Sequence, residues 1–375
     1  MIIGLMIMRW DERIGADVLA CYPEEFQIPN ESLMQIYSTH EYNQGESGLI
    51  SLLAGERFLV SYYSGTEDAV YTIIAISGEE NPDVYEEGLA DLNRNVIPYI
   101  QDENALKNVL PNLFQRLSIY PTLSYEQRLL TILEDPVKLT ILKRLHEDGV
   151  VIKSELTIWL REKITDRILD FEGVIASFYK SNLVKGITIN NIDYLFLMED
   201  ILVHRRPPVR ILKNTNEAGL PESLLPQYKQ ELVIFFKEYV PSDEDTKEVI
   251  QALLDPQVYE VFKLLRTNVV TRDSLEKLKK KGVEDVDGTV KKMWQSHLIC
   301  VLHDDKANEY FALVSDVMIK TVFPEHIFNA LIRAYEFKEK QKEIIMEYMK
   351  ELEDHYPKYQ TRQKELAKQI EEEYA

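Results

Sequence analysis

Three sets of side chains in this 375-residue chain have types and spacings that could do chemistry: a group of carboxylates near the N-terminus, two cysteines, and two basic clusters. The stretch RWDERIGADVLACYPEE, residues 9–25, brings Asp11, Glu12, Glu24 and Glu25 to either side of an apolar run. Two carboxylates held at different proton affinities can work as acid and base. These four sit at polar turns, where carboxylates are solvated. Neither a Ser-His-Asp order, nor a glycine-rich phosphate loop, nor a metal-spaced His/Cys cluster accompanies them in the first third. No catalytic residue, cofactor or metal ligand is expected, and the chain reads as a non-enzyme. Cys21 and Cys300 lie far apart in sequence. That suits a reducing cytoplasm, with both as buried thiols and not a disulfide or metal pair.

The basic residues group differently. HRRPPVR carries Arg205, Arg206 and Arg210, and EKLKKKG carries Lys277, Lys279, Lys280 and Lys281. Lys291 and Lys292 follow in VEDVDGTVKKMWQSH. Clustered cations are what phosphate binding requires, so Arg205, Arg206, Arg210, Lys279, Lys280, Lys281, Lys291 and Lys292 are the candidate contacts for nucleic acid or an acidic partner. The competing reading is a solvated flank and a cationic helix end favourable to the helix dipole. The net charge of −20 weighs against nucleic acid. Residues 1–125 hold six basic against nineteen acidic side chains, whereas 126–220 hold fourteen of each, so the N-terminal third should repel a phosphate backbone.

The elements that would carry these residues follow from periodicity. Ile2–Met8 is a continuous apolar run, a first strand and not a signal peptide; ADVLACY returns after the short polar DERIGA, a hairpin. NESLMQIYSTH opens on Asn30 and sets Leu33, Ile36 and Tyr37 on one helical face. Three apolar runs separated by AGE and SGTED then form an antiparallel meander, and NPDVYEEGLADLNRNVIPYI spaces Val84, Leu89, Leu92 and Ile97 for a buried helix face. The order β-β-α-β-β-β-α is an α+β sheet with one face covered by the flanking helices and the other face, or an edge strand, expected to be free for a partner.

On Gly15, Val18, Leu19, Tyr22 and Pro23, this region resembles the roadblock/longin superfamily, in which a five-stranded sheet opens with a hairpin followed by a helix. The resemblance spans about residues 1–100. It implies a docking platform, for small GTPases or for another such domain, with a homodimer through the sheet as one route of association.

Further on, YEQRLLTILEDPVKLTILKRLHEDG places a helix, an Asp135-Pro136 break, and a helix with Leu139, Leu142 and Leu145 on one face. Two more helices and two β-prone runs around Asn190-Asn191 follow, which is the winged-helix layout. LEDPVKLTILKRLHEDG is similar to the opening of arsenic-repressor-type winged helices. The pattern returns about 120 residues later, with Asp255-Pro256 before Val258, Val261, Phe262 and Leu265, and DDKAN as the wing turn. A DNA reader lays its third helix in the major groove. Here Asp170 and Glu172 face a lone Lys180 in the first copy, and Glu284, Asp285 and Asp287 offset Lys291 and Lys292 in the second. From Pro324 a helical tail is expected, with Ile327, Leu331, Tyr335, Ile345, Met346, Met349 and Leu352 as its stripe and Pro357 as a break.

The expected organisation is α+β: a longin-like domain over 1–125, winged helices over 126–215 and, with a linker helix, 216–322, and a tail over 323–375. The resemblances imply a cytoplasmic, archaeal-type adaptor that binds proteins, in the manner of GTPase-regulating assemblies. The alternative is a winged-helix transcription regulator with a longin-like sensor or dimerisation domain. No apolar run reaches the roughly 20 residues that span a bilayer.

Overall fold

The computed structural model describes residues 2–42, 47–66, 68–164, 171–283 and 285–373, with the backbone alone for 164, 280, 281 and 369–373. The fold is α+β. By internal contacts the chain divides into two units: Met1–Ser124 with Val151–Leu195, and Tyr125–Val150 with Phe196–Ala375. One border of these units falls between 124 and 125, and residues 126–215 are shared between them.

The first unit begins with strands β1 (Ile2–Asp11) and β2 (Gly15–Tyr22), helix α1 (Asn30–Tyr42), and strands β3 (Gly48–Ala54), β4 (Arg57–Tyr63) and β5 (Val70–Ser77). Helices α2 (Glu86–Val96) and α3 (Glu103–Ile119) follow. All pairings are antiparallel, in the order β2-β1-β5-β4-β3. RWDERIGADVLACYPEE is a hairpin. The Asp11 carboxylate accepts from the amides of Arg13 (2.7 Å) and Ile14 (3.0 Å), and Gly15 takes φ +84°, where other residues would be strained.

Both faces of the sheet are buried, because β1 is apolar at successive positions. Leu5 and Ile7 pack with Leu89, Leu92 and Val96 of α2 and Leu106, Leu110 and Leu117 of α3. Met6 and Met8 pack with Leu33 and Ile36 of α1. A sheet with one helix-covered face and one free face is therefore not what forms. The edges β2 and β3 are what remain for strand pairing. Ahead of α2, residues 82–85 form a 3-10 turn, so Tyr85 is buried where Val84 was expected.

Beneath α1, the His40 ring is buried, with Nε2 3.1 Å from the Ser61 hydroxyl and the stacked Tyr63 and Tyr71 rings beside it. Burial pushes the His40 imidazole down to about 4. The unfolded chain, with an ordinary value near 6.5, binds a proton in that interval that the fold refuses. Stability is therefore complete above pH 6.5 and falls as pH drops toward 4. Between pH 7 and 5 His40 should remove about 2 kcal/mol. Denaturant melts of wild type and His40→Gln across this range should differ in slope by that amount; identical slopes would show that His40 is protonated in the fold.

The first repeat runs α4 (Tyr125–Glu134), α5 (Pro136–Asp148), β6 (Val150–Ile152), α6 (Lys153–Ile164), α7 (Phe171–Lys180), β7 (Val184–Ile189), β8 (Ile192–Leu197) and β9 (Asp200–Arg206). Asp135 caps α5, accepting from the amides of Val137 (2.8 Å) and Lys138 (3.1 Å). Asn190 and Asn191 have φ +52° and +63°, the conformation of a tight hairpin turn between β7 and β8. Helix α7, the third of the layout, packs against α2 in the first unit, where Lys180 pairs with Glu86. Asp170, and Leu169 at the expected start of this helix, lie outside the described residues.

Helices α8 (Val209–Lys213) and α9 (Leu225–Glu238) lead to the second repeat. It runs α10 (Asp243–Leu254), α11 (Pro256–Leu265), β10 (Val270–Thr271), α12 (Arg272–Glu276), α13 (Val286–Gln295), β11 (Ile299–His303), β12 (Glu309–Leu313) and β13 (Asp316–Val322). Asp255 caps α11 as Asp135 caps α5, through the amides of Gln257 (2.9 Å) and Val258 (3.5 Å). Strands β10, β12 and β11 form one sheet around a core of Val258, Phe262, Leu265, Met293 and Phe311.

Within the second unit the copies meet through equivalent elements. Helix α4 packs against α10, burying Leu129 and Leu130 beside Val249 and Leu253. Strand β9 pairs antiparallel with β13 so that Val203 faces its own counterpart Ile319, Asp200 faces Val322, and Arg206 faces Asp316. That register is symmetric about its centre, the pattern of a two-fold contact made inside one chain.

The tail forms α14 (Ile327–Glu336) and α15 (Lys342–Glu373). The expected break at Pro357 does not occur, and α15 runs through it. The helix is anchored on both sides of the proline: His355 and Arg362 both reach the buried Glu199 carboxylate, His355 at 2.6 Å, and Tyr356 and Tyr359 pack on Phe323. Tyr348 and Leu352 form the buried stripe, whereas Met346 is 56% exposed and Met349 half-exposed, so the two methionines are not core residues. Among the described residues, no helix is long and apolar enough to cross a membrane.

Candidate functional site

Helix α9 contains Leu232-Val233-Ile234-Phe235-Phe236, five apolar residues in succession. A helix has one buried stripe, so such a run must leave part of itself outside. Tyr228 and Leu232 turn inward, the Tyr228 hydroxyl donating to the Leu313 carbonyl at 2.7 Å, while Val233 and Ile234 face out, Ile234 48% exposed. Opposite stand Trp294, 61% exposed in the last turn of α13, and Ile299 and Val301 of β11. Between them lies a groove of about 490 Å³ with Glu231 and Glu238 among its lining residues.

Its inner wall rests on Arg205. The guanidinium is buried (3% exposed), bound to Asp245 through Nε and Nη2 at 2.8–3.1 Å, and donates to the Ser315 hydroxyl (2.6 Å) and to the carbonyls of Ser296 (2.7 Å) and His297 (3.1 Å). Its flat face lies over the Phe235 and Tyr239 rings, centroids 5.7 and 5.9 Å away. Tyr239 donates to Asp245 at 3.1 Å, and burial together with that carboxylate raises its phenol above the ordinary range.

The other candidate cations do not gather here. Arg205 itself is an internal support and offers no charge to a partner. Arg206 pairs with Asp316 (2.8 Å), Lys279 with Glu276 (2.5 Å) and Lys292 with Asp255, while Arg210 is half-buried and engaged. The Lys280 and Lys281 side chains lie outside the described residues. Lys291 is exposed on α13, on the same helix as Asp287, which pairs with Arg272. The six whose side chains are described do not form one basic surface.

Chemically the groove offers apolar and aromatic walls with carboxylates among them. Cys300, which lines it, is buried, and its thiol is pushed up to about 12 by burial and by Glu231, so it stays protonated at neutral pH. Cys21 is half-buried and also raised, by burial and then Glu24; both cysteines are free. Glu12, Glu24 and Glu25 are exposed. The run in α9 was the signal available in sequence; Trp294 gave none until its helix was oriented. His146, Asp200 and His326, for which the sequence suggested no shared role, come together in the second unit. No protein-family model matches the chain, and neither the curated proteins nor the solved structures compared with it give a match.

Proposed function

We propose that this chain is a non-enzymatic scaffold with a longin-like N-terminal domain and tandem winged helices, and that it holds a protein partner in the groove between α9, α13 and β11. The observation that carries the reading is the exposed pair Ile234 and Trp294 beside Glu231 and Glu238. Exposed aromatic anchors in a concave site are the usual centre of a protein contact. The acidic side chains favour a segment presenting apolar residues flanked by lysine or arginine. A small GTPase or a second longin-type domain is the partner class that the N-terminal resemblance implies. Two observations weigh against DNA reading: α7 is packed on α2, and Lys292 of α13 is paired with Asp255.

The full-length protein, immobilised beside Trp294→Ala and Ile234→Ala, should retain proteins that the variants release, with affinity down at least about 10-fold. A gel shift on duplex DNA at about 150 mM salt should give only weak, competitor-sensitive binding, because phosphate-driven affinity falls steeply with salt. Nanomolar DNA binding that survives competitor would replace this reading with the transcription regulator.

A further inference from the structure

We propose that His146, Asp200 and His326 form a site for a divalent transition-metal ion of the zinc class. Three elements of the second unit supply them: the last turns of α5, the first residue of β9, and the residue before α14. Their donor atoms lie within 4.8 Å of one another. His146 Nδ1 lies against the Asp200 carboxylate, so the two donor atoms face one another. The His326 ring stacks on that of His146, centroids 4.0 Å apart, with Nε2 3.2 Å from the His146 carbonyl. Two imidazoles and a carboxylate are a ligand set that zinc-class ions accept, with a fourth position left for water. The exposed His146 side chain leaves that position open to solvent.

The internal duplication supplies the control. Asp200 and Asp316 are equivalent, each the first residue of the paired strands β9 and β13. His146 stands eleven residues after Asp135 and Arg266 eleven after Asp255, so they too are equivalent. In the second copy the buried Asp316 carboxylate is neutralised twice, by Arg266 at 3.1 Å and Arg206 at 2.8 Å. In the first copy Asp200 is equally buried, but its partner is His146, and Val322 stands where symmetry would place a second arginine. A guanidinium is permanently charged; an imidazole brings positive charge only when protonated or bound to a metal. The aspartate that lacks both arginines is the one that has two histidines beside it, His146 of its own copy and His326 of the tail. A metal there would supply the missing charge and tie α14 to α5 and β9.

Full-length protein, stripped with chelator, should take up about one equivalent of Zn²⁺ by calorimetry. Co²⁺ in its place should give visible ligand-field bands of nitrogen and oxygen coordination. Zn²⁺ should also raise the unfolding temperature. His326→Ala removes one ligand. His146→Arg rebuilds the pairing of the second copy, so it should fold at least as well as the metal-free protein while losing the site. Changes outside the ligand shell alone weaken binding about 10–100-fold, so each variant should lose at least that much affinity. Failure of the wild type to bind Zn²⁺ at micromolar concentration overturns the proposal, as does binding that persists unchanged in His326→Ala or in folded His146→Arg. If His146→Arg does not fold, His326→Ala decides.

Discussion

Replacing Arg205 by alanine is expected to destabilise the second unit by about 3–5 kcal/mol, the range for removing one member of a buried ion pair. The side chain carries both faces of the argument. Its nitrogens satisfy Asp245, Ser315 and two carbonyls at the end of α13, and its plane supports Phe235 and Tyr239. Alanine leaves the Asp245 carboxylate, itself mostly buried, without its counter-ion and strips the Ser296 carbonyl of the arginine's hydrogen bond, while the His297 carbonyl keeps only the Ser315 hydroxyl. Lysine should restore little, since one ammonium cannot reproduce a planar fork that meets four acceptors. Changing Asp245 to Asn in the same background should recover part of the loss by removing the stranded charge. The measurement is denaturant unfolding of the full chain with hydrogen exchange on α10 and α13. A loss below about 1 kcal/mol would place Arg205 among surface residues, where exposed pairs contribute that little.

That same residue marks the limit of what sequence can show. HRRPPVR reads as a basic cluster because sequence reports charge but not burial; only the pairing of β9 with β13 carries Arg205 to Asp245, forty positions on. What was legible was local. The hairpin around Gly15, the Asp-Pro caps at 135 and 255, and the Asn190-Asn191 turn each depend on a few neighbouring residues. Their repetition exposed the duplication. The second covered face of the sheet was legible as well, since Ile2–Met8 does not alternate, and a strand apolar on both sides needs cover on both sides. Pro357 was misread because a proline reports only its own helix, while His355, Arg362 and the tyrosines hold the helix through contacts on either side of it. His326 is 180 residues from His146, and no spacing rule joins them.

Phe262→Ala should cost about 3–5 kcal/mol, more than Leu142→Ala at the equivalent position of the first repeat. Both side chains are buried, Phe262 in the core that α11 shares with α13 and the β10-β12-β11 sheet. Cavity formation alone separates them little. Phe262 has a second role, because the Arg266 guanidinium lies over its ring, 4.5 Å from the centroid. That arginine, one turn on, holds Glu126 of α4 at 2.8 Å, Asp316 at 3.1 Å and the Val317 carbonyl at 2.7 Å. Truncating the ring removes a cation–π contact of about 0.5–2 kcal/mol and loosens the residue that joins α4, α11 and β13. His146 occupies the Arg266 position behind Leu142, and a leucine offers it no ring face. Phe262→Leu, which copies the first repeat, should keep the apolar volume and lose only the part owed to Arg266, so it should fall about 1–2 kcal/mol below wild type. Double-variant cycles of Phe262 with Arg266→Met read the coupling directly. A coupling near zero would mean that the ring only fills space. Hydrogen exchange would then show α4 unchanged in Phe262→Ala, whereas a ring that holds Arg266 in place makes α4 open faster when it is removed.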